Sequence, residues 1–431
     1  MRTFLALYIA GVGLIWALAG TGPAQGAGSL PWMLRHQALY LTGLWAFALM
    51  SLAMVLATRP AWLERPFGGL DKMYRTHKWA GILAIGFAAL HWLVEMSDDV
   101  IKALWGREGR LPKDHGDGVF EALRDMAEEL GEWAIYALLA MLVLTLWKRF
   151  PFHLWRYVHK AMPVLYLTLA IHAAFLAPMA YWSQPVGGLL AAMMVAGSVA
   201  ALLALLGRIG LRRRHAGTVE AVSTPAAGLT EVVCRLPRWP GHRAGQSVFL
   251  GFDRFEGPHP FTIASADAGD GRLRFEIKAL GDYTEALARH VQPGQAVTVE
   301  GPYGCFDHRR ARSGARQIWV AAGVGVTPFL AWLERLQAAP ETAPAADLYY
   351  CVRNRDTDPL VARVTALCAT LPAVRLTVIS TDREAPLSAG QLKVRGAADV
   401  WFCGPKAFGA ALRQGLNRWR VRFHQEAFEM R

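Results

Sequence analysis

The sequence predicts a multi-domain chain. A six-span, all-α transmembrane bundle fills residues 1–210, an antiparallel β-barrel 211–312, and an α/β domain with a parallel sheet 313–431. Three observations carry this. The chain is 53% hydrophobic, but the apolar runs long enough to cross a bilayer all lie before about residue 207, and the remainder is of ordinary soluble character. From about residue 217 the pattern becomes short β-rich runs between Gly and Pro turns. From about residue 316 it becomes buried strand then helix, repeated, which marks a parallel sheet.

The spans run roughly over 3–20, 37–57, 76–97, 132–148, 154–177 and 187–207. Arg2, the apolar core after it and the small residues near Ala24 and Ala27 also suit a cleaved secretory signal, which leaves the other spans unchanged. Loop charges orient the bundle. Arg59, Arg65, Lys72 and Arg75 lie between spans two and three, Lys148, Arg149 and Arg156 between four and five, and Arg208, Arg212, Arg213 and Arg214 after six. The alternate loops are poorer in Lys and Arg, and the longest, 98–131, is rich in Asp and Glu. The positive-inside rule therefore places the basic loops and both termini in the cytoplasm. The net charge of +12 is read as this topology signal, with no nucleic-acid partner. Within the long loop, Asp117–Glu129 is amphipathic and suits a lid, a docking surface or a solvated cap.

Two histidine pairs stand inside the apolar segments: His77 with His91, and His159 with His172. Spacings of 14 and 13 residues separate the members of a pair by roughly 20 Å along a helix, most of the ~30 Å hydrocarbon core. A histidine inside a span is costly and marks function. Two facing helices with histidines at two levels can clamp two haems, one above the other. His77 and His159 begin their spans on the cytoplasmic side and would hold an inner haem, with His91 and His172 holding an outer one. A 14-residue step returns to nearly the same helix face, whereas 13 overshoots it. A kink at Pro163 is expected to re-aim His172. His36 and His153, which flank spans, are the alternative ligands.

All five cysteines (Cys234, Cys305, Cys351, Cys368, Cys403) fall in the soluble half, with no C-x-x-C and no four-cysteine iron–sulfur run. Electrons must reach the histidine level by another carrier. The strand runs Leu229–Leu236, Ser247–Phe252, Leu273–Lys278 and Ala296–Glu300 suit a small barrel. The later alternation runs Gln317–Ala322, Thr327–Ala338, Asp347–Val352, Pro359–Thr370, Arg375–Ser380 and Val400–Cys403, and suits a nucleotide-binding sheet.

Motifs in this half carry chemistry. His259-Pro260-Phe261-Thr262-Ile263-Ala264-Ser265 packs an imidazole, a ring and hydroxyls into one turn between strands, where they can hydrogen-bond a flavin and its phosphates. Gly281-Asp282-Tyr283-Thr284 places a Gly turn and a hydroxyl at the start of the helical run Glu285–His290, a phosphate seat. Val320–Pro328 is a strand, a Gly turn at Gly323 and Gly325, and a helix start at Thr327 and Pro328. It is similar to the pyrophosphate cradle of dinucleotide folds but departs from G-x-G-x-x-G. Strand Leu348–Val352 ends in Arg353-Asn354-Arg355, and a guanidinium there can pair with a 2′-phosphate, so NADPH is expected over NADH.

The order of these motifs resembles the transmembrane NADPH oxidase and ferric reductase superfamily, in a compact, bacterial-type form, over nearly the whole chain. The resemblance implies a dihaem membrane domain, an FAD barrel and a nicotinamide-nucleotide domain of ferredoxin-reductase type. It makes HPFTIAS the FAD signature and GDYT the second flavin-phosphate motif, with Lys278 facing the pyrophosphate. Glu300-Gly301-Pro302-Tyr303-Gly304 is similar to the turn that closes the flavin domain, and Gly323–Phe329 to the nicotinamide-nucleotide loop. Phe402-Cys403-Gly404-Pro405 is similar to the motif beside the nicotinamide ring, and Phe423–Phe428 to a C-terminal run whose last aromatic, Phe428, stacks on the flavin. The histidine spacings match the family's haem ligands. Where animal oxidases carry a histidine one turn beyond the outer ligand of the third span, this chain has Glu95.

The same resemblance implies a multi-pass oxidoreductase of the bacterial inner membrane. It would pass electrons from cytoplasmic NAD(P)H through FAD and two b-type haems to an acceptor outside. Oxygen, giving superoxide, is the leading acceptor and a ferric or other metal chelate the alternative. A periplasmic partner protein receiving the electrons is the third.

Overall fold

The computed structural model describes residues 1–19, 29–108, 110, 118–147, 149–252, 257–392, 394, 396–416 and 420–426. The chain divides into two compact units: 1–63 with 72–209, and 64–71 with 210–431.

The first unit is helical. Its elements are α1 (Arg2–Leu18), α2 (Leu30–Ala57), α3 (Ala61–Phe67, whose second half counts with the other unit), α4 (Leu70–Met96), α5 (Asp98–Trp105), α6 (Val119–Leu146), α7 (Phe152–His159), α8 (Met162–Leu176) and α9 (Pro185–Leu205). Among the described residues five helical stretches are long and apolar enough to cross a membrane: 30–57, 70–105, 119–146, 154–176 and 185–205. This corrects the expected six. The first helix has 17 residues, about 26 Å at 1.5 Å per residue, short of the ~30 Å core. It still packs into the bundle: Leu5 and Val12 are buried, and the Trp16 Nε1–H donates to the Tyr181 hydroxyl at 2.8 Å. The residues around Ala24 and Ala27 on which a signal reading turns lie outside the described residues.

More than half of the apolar window of α2 is buried, against at most 28% in the other four spans, so α2 is the central helix. Around it pack Ala80 and Ala84 of α4, Leu138 of α6, Tyr166 and Ala170 of α8, and Leu190 and Ala200 of α9. Side chains such as Leu90, Val143, Val164 and Val195 point outward, as lipid-facing positions do. Close helix approach uses small residues and polar contacts. A Cβ at Gly197 would overlap the Tyr166 hydroxyl, which donates to Met193 O at 3.0 Å and meets Ser51 Oγ at 2.9 Å.

Two local features differ from the sequence expectation. The amphipathic stretch expected over Asp117–Glu129 is described from Val119, where it is continuous with the span in α6. The span holding His159 and His172 is interrupted by a turn just before Pro163. Its first half ends at His159, Lys160 and Ala161 form a turn, and Pro163 sits in the opening turn of α8, where its missing N–H costs nothing.

The second unit opens with a six-stranded antiparallel sheet in the order β4-β3-β6-β1-β2-β5. Its strands are β1 (Arg214–Ala226), β2 (Leu229–Arg235), β3 (Ser247–Gly251), β4 (His259–Thr262), β5 (Arg272–Lys278) and β6 (Ala296–Tyr303), with helix α10 (Asp282–His290) after β5. The Ala264 N–H donates to Arg274 O at 2.7 Å, so the chain leaving edge strand β4 curls onto the opposite edge. The interior is aliphatic and aromatic, with Val232, Leu250, Leu273, Phe275 and Val299 fully buried. His259–Thr262, expected as a turn, is strand β4. Pro260 is tolerated there because β4 is an edge strand.

A five-stranded parallel sheet comes next, ordered β11-β10-β7-β8-β9. Its elements are β7 (Arg316–Ala322), α11 (Thr327–Gln337), β8 (Ala346–Val352), α12 (Pro359–Ala369), β9 (Val374–Ser380), β10 (Ala398–Cys403), α13 (Lys406–Gly415) and β11 (Val421–Glu426). Every neighbouring pair is parallel. The order reverses at β7, so β7 and β10 flank the switch-point crevice where ligands of such sheets bind.

Candidate functional site

In the first unit the four predicted histidines form two facing pairs. The rings of His77 (α4) and His159 (α7) have centroids 6.1 Å apart with planes at 84°. Those of His91 (α4) and His172 (α8) stand 6.3 Å apart at 86°. A metal–imidazole bond of about 2 Å puts the centroids of two imidazoles on opposite sides of one metal roughly 6 Å apart, so both pairs have that span. Three of the four rings are also oriented as ligands are. His77 Nδ1 lies 2.8 Å from Ala53 O, His91 Nδ1 2.9 Å from Leu39 O, and His172 Nδ1 2.8 Å from Ala127 O. A carbonyl only accepts, so Nδ1 carries the hydrogen and Nε2 keeps its lone pair for a metal. His159 differs: its Nδ1 is buried with no hydrogen-bond partner among the described residues, and its ring stacks on Trp155 at 4.7 Å. The turn at Lys160 and Ala161 lies between the two histidines of the 13-residue step. Of the alternatives, His36 packs edge-on against Tyr40, while the side chain of His153 lies outside what the structure describes. The Arg35 guanidinium donates to Glu95 at 2.9 Å and lies 3.7 Å from Asp98.

In the second unit the motifs converge in two places. At the barrel edge, the His259 ring stacks on Tyr283 with centroids 3.8 Å apart and planes at 14°, which joins the HPFT and GDYT motifs. Phe261 packs toward the barrel core, and Thr262 pairs with Ser247 across the edge of the sheet. Ser265 Oγ accepts the Arg274 N–H at 3.2 Å, so that hydroxyl holds backbone. Gly281 caps α10, and Thr284 Oγ1 accepts the N–H groups of Leu280 and Gly281 at 2.8 and 3.2 Å.

The second place is the switch point. A Cβ on Gly325 would overlap the Cys403 carbonyl, so the Gly323–Thr327 turn lies directly against Cys403-Gly404-Pro405. Thr327 and Pro328 open α11 and are buried. Lys278 Nζ lies 4.0 Å from where a Cβ of Gly323 would stand, which brings the cation of the flavin half to the nucleotide loop. Cys403 is buried, and burial, with Glu426 beside it, pushes its thiol well above the ordinary range. Phe428 lies outside the described residues. Arg353 and Arg355 are exposed at the end of β8. Asp356 pairs with Arg383, not with either of them.

Sequence reasoning missed a charge cluster between the two sheets. Arg363 of α12 bonds Glu231, Glu276 and Glu334 at 3.0, 3.1 and 3.3 Å. Arg274 pairs with Glu334 at 2.6 Å and Glu276 at 3.6 Å. Burial, and secondly the Glu231 charge, push the Glu276 carboxyl up to about 7. Charges that alternate with the core-facing residues of Leu229–Leu236 and Leu273–Lys278 were its sequence signal. Arg213 and Arg214, read as topology signals, are also structural. Arg214 pairs with Glu300 at 3.2 Å, while Arg213 donates to Pro302 O at 3.2 Å and lies 3.6 Å from Glu64, whose carboxylate accepts the Gly304 N–H.

The chain thus joins a helical unit with membrane-length apolar helices to a unit made of an antiparallel flavin-type barrel and a parallel dinucleotide-type sheet. The family model described as "Ferric reductase like transmembrane component" matches residues 42–170, and that described as "FAD-binding domain" matches 230–306. These matches support the superfamily of ferric reductases and NADPH oxidases. It is 27% identical over 214 residues to respiratory burst oxidase homolog protein E of Arabidopsis thaliana, covering 43% of this chain and 22% of that protein. It is 32% identical over 129 residues to methane monooxygenase component C of Methylosinus trichosporium, covering 28% and 36%. The chain thus spans roughly a quarter to a third of these relatives. A crystal structure of flavohemoglobin from Malassezia yamatoensis with bound FAD and heme is similar in fold, with TM-score 0.51, 17% identity, and 94% of this chain and all of that one covered.

Proposed function

We propose that this protein is a transmembrane NAD(P)H oxidoreductase that delivers electrons to a small acceptor on the outer side of the bacterial inner membrane, oxygen in the leading reading. The observation that supports it is the two facing histidine pairs, with centroids 6.1 and 6.3 Å apart, a separation that suits one metal each, in a chain whose other half pairs a flavin-type barrel with a dinucleotide switch point. His77 with His159, and His91 with His172, would each hold one b-type haem. His259, Pro260, Phe261, Thr262, Ser265, Lys278, Gly281 and Thr284 would form the FAD site. Gly323, Gly325, Thr327, Pro328, Gly404 and Pro405 would seat the nicotinamide nucleotide, with Arg353 or Arg355 reading a 2′-phosphate.

When bound, FAD accepts a hydride as an electron pair and releases single electrons, which is the form a haem carries. The chain's own work is placement. The His259–Tyr283 stack fixes the two flavin motifs to each other. The bare backbone at Gly325 lets the nucleotide loop close on Cys403, and the high thiol pKa keeps Cys403 neutral beside an incoming ring. His77 with His159, and His91 with His172, would occupy both faces of the haem each pair holds, so a haem there would supply electron transfer without binding the acceptor directly.

A metal-chelate reductase is the second reading. Glu95 in place of the oxidases' histidine, held by Arg35, favours it. The test is product analysis on purified, FAD-loaded protein: superoxide in air against ferric-chelate reduction under anaerobiosis. Superoxide with slow chelate reduction supports the oxidase, the converse supports the reductase, and neither product from a protein that oxidises NADPH overturns both.

A further inference from the structure

The outer histidine pair rests on a repeated backbone device. His91 bonds the carbonyl of Leu39, and His172 that of Ala127. In a helix the carbonyl of one residue points at the residue four later, whose side chain stands beside its second lone pair. Four residues after Leu39 stands Gly43, and four after Ala127 stands Gly131. A Cβ at Gly43 would come within 3.0 Å of His91 Nδ1 and 3.1 Å of its Cε1, and one at Gly131 would overlap the same two atoms of His172. The inner pair lacks the device. His77 reaches Ala53 O although residue 57 is alanine, and His159 Nδ1 has no such bond among the described residues.

We propose that Gly43 and Gly131 are positioning residues of the outer histidine pair: each opens the carbonyl four residues earlier to an imidazole Nδ1–H, fixing the tautomer and aim of both outer ligands. The proposal rests on the reading that the four histidines ligate haem. Without the glycine the ring must tilt away from the carbonyl, which frees Nδ1 and turns Nε2 off its partner. Loss of such an outer partner typically weakens metal binding by about 10–100-fold.

The test is haem content, redox titration and low-spin electron paramagnetic resonance on the detergent-purified full chain. The variants are Gly131→Ala, Gly43→Ala and Gly81→Ala, the last on the same helix as His77 and His91 with nothing within 4 Å of an added Cβ. His172→Ala identifies the outer signal. The expected order is loss of only the outer haem in Gly131→Ala, a shifted outer signal in Gly43→Ala, and no change in Gly81→Ala. Retention of both haems with unchanged signals in Gly131→Ala overturns the proposal. So does simultaneous loss of both haems, because the glycine then serves the bundle and not the histidine. A wild-type chain without bound haem sinks the ligand reading itself, and this proposal with it.

Discussion

The imidazoles of His91 and His172 face each other with centroids 6.3 Å apart and planes at 86°, and His77 and His159 repeat that relation at 6.1 Å and 84°. Each pair brings together two helices that the chain visits some 80 residues apart. Replacing any one of the four by alanine should remove one haem per chain and leave the other level intact. His36→Ala, a ring that packs on Tyr40, should change nothing. Haem-to-protein ratios by absorbance decide it, and full haem content in any of the four variants would remove that residue from the ligand set.

Nucleotide choice should track the end of β8. Asp356 is engaged by Arg383, which leaves the guanidinium groups of Arg353 and Arg355 to meet a phosphate. A charged hydrogen bond contributes about 1.5–3 kcal/mol, so removing the reader should lower the NADPH-to-NADH ratio of kcat/KM by roughly tenfold or more. Steady-state kinetics of Arg353→Ala and Arg355→Ala measure this, and an unchanged ratio in both means neither arginine reads the phosphate.

The cluster around Glu276 makes stability depend on pH with a defined sign. Its carboxyl is pushed up to about 7 by burial first and the Glu231 charge second, against the pull of Arg363 and Arg274. In the unfolded chain it titrates in the ordinary glutamate range, near 4.5. Between these values the folded state keeps a proton that the unfolded state has lost, so stability falls as pH rises through the window. Glu276→Gln should melt close to the parent at about pH 4 and above it at about pH 8. A variant that melts below the parent at pH 8 would mean that the ionised carboxylate is needed by its arginines.

Gly325 tests the switch point. The Cys403 carbonyl occupies the space of its missing Cβ, so Gly325→Ala must part the loop from β10. Overpacking of this kind costs about 1–3 kcal/mol, and the nucleotide seat should open with it. The expected result is a several-fold higher KM for the nicotinamide nucleotide with FAD retained. An unchanged KM would show that the loop can yield without cost.

The barrel and parallel sheet are legible in the sequence because their periodicities are local. Buried runs such as Asp347–Val352 allow one reading wherever they sit, and β8 spans Ala346–Val352. His259–Thr262 reads as a turn because Pro260 is a strand breaker in most settings. Only the topology shows that β4 is an edge, where a missing N–H is harmless. The amphipathic stretch near 119 misleads for the opposite reason, since a change of polarity suggests a boundary while helix continuity is set by the backbone. The charge cluster of Glu231, Glu276, Arg274, Glu334 and Arg363 joins four elements, and no single segment announces it.

By itself the sequence determined the class of each segment, the order of the parts and the two histidine levels. These depend on residue type and on spacing along one helix or strand. The tertiary structure alone decided how the histidines meet. It placed a turn between His159 and His172, and it set Gly43 and Gly131 beside imidazoles that lie 48 and 41 residues further along the chain. It also laid Gly325 on Cys403 and separated Asp356 from the arginines beside it. Such contacts join atoms distant in sequence, and they are fixed by packing, which no local pattern encodes.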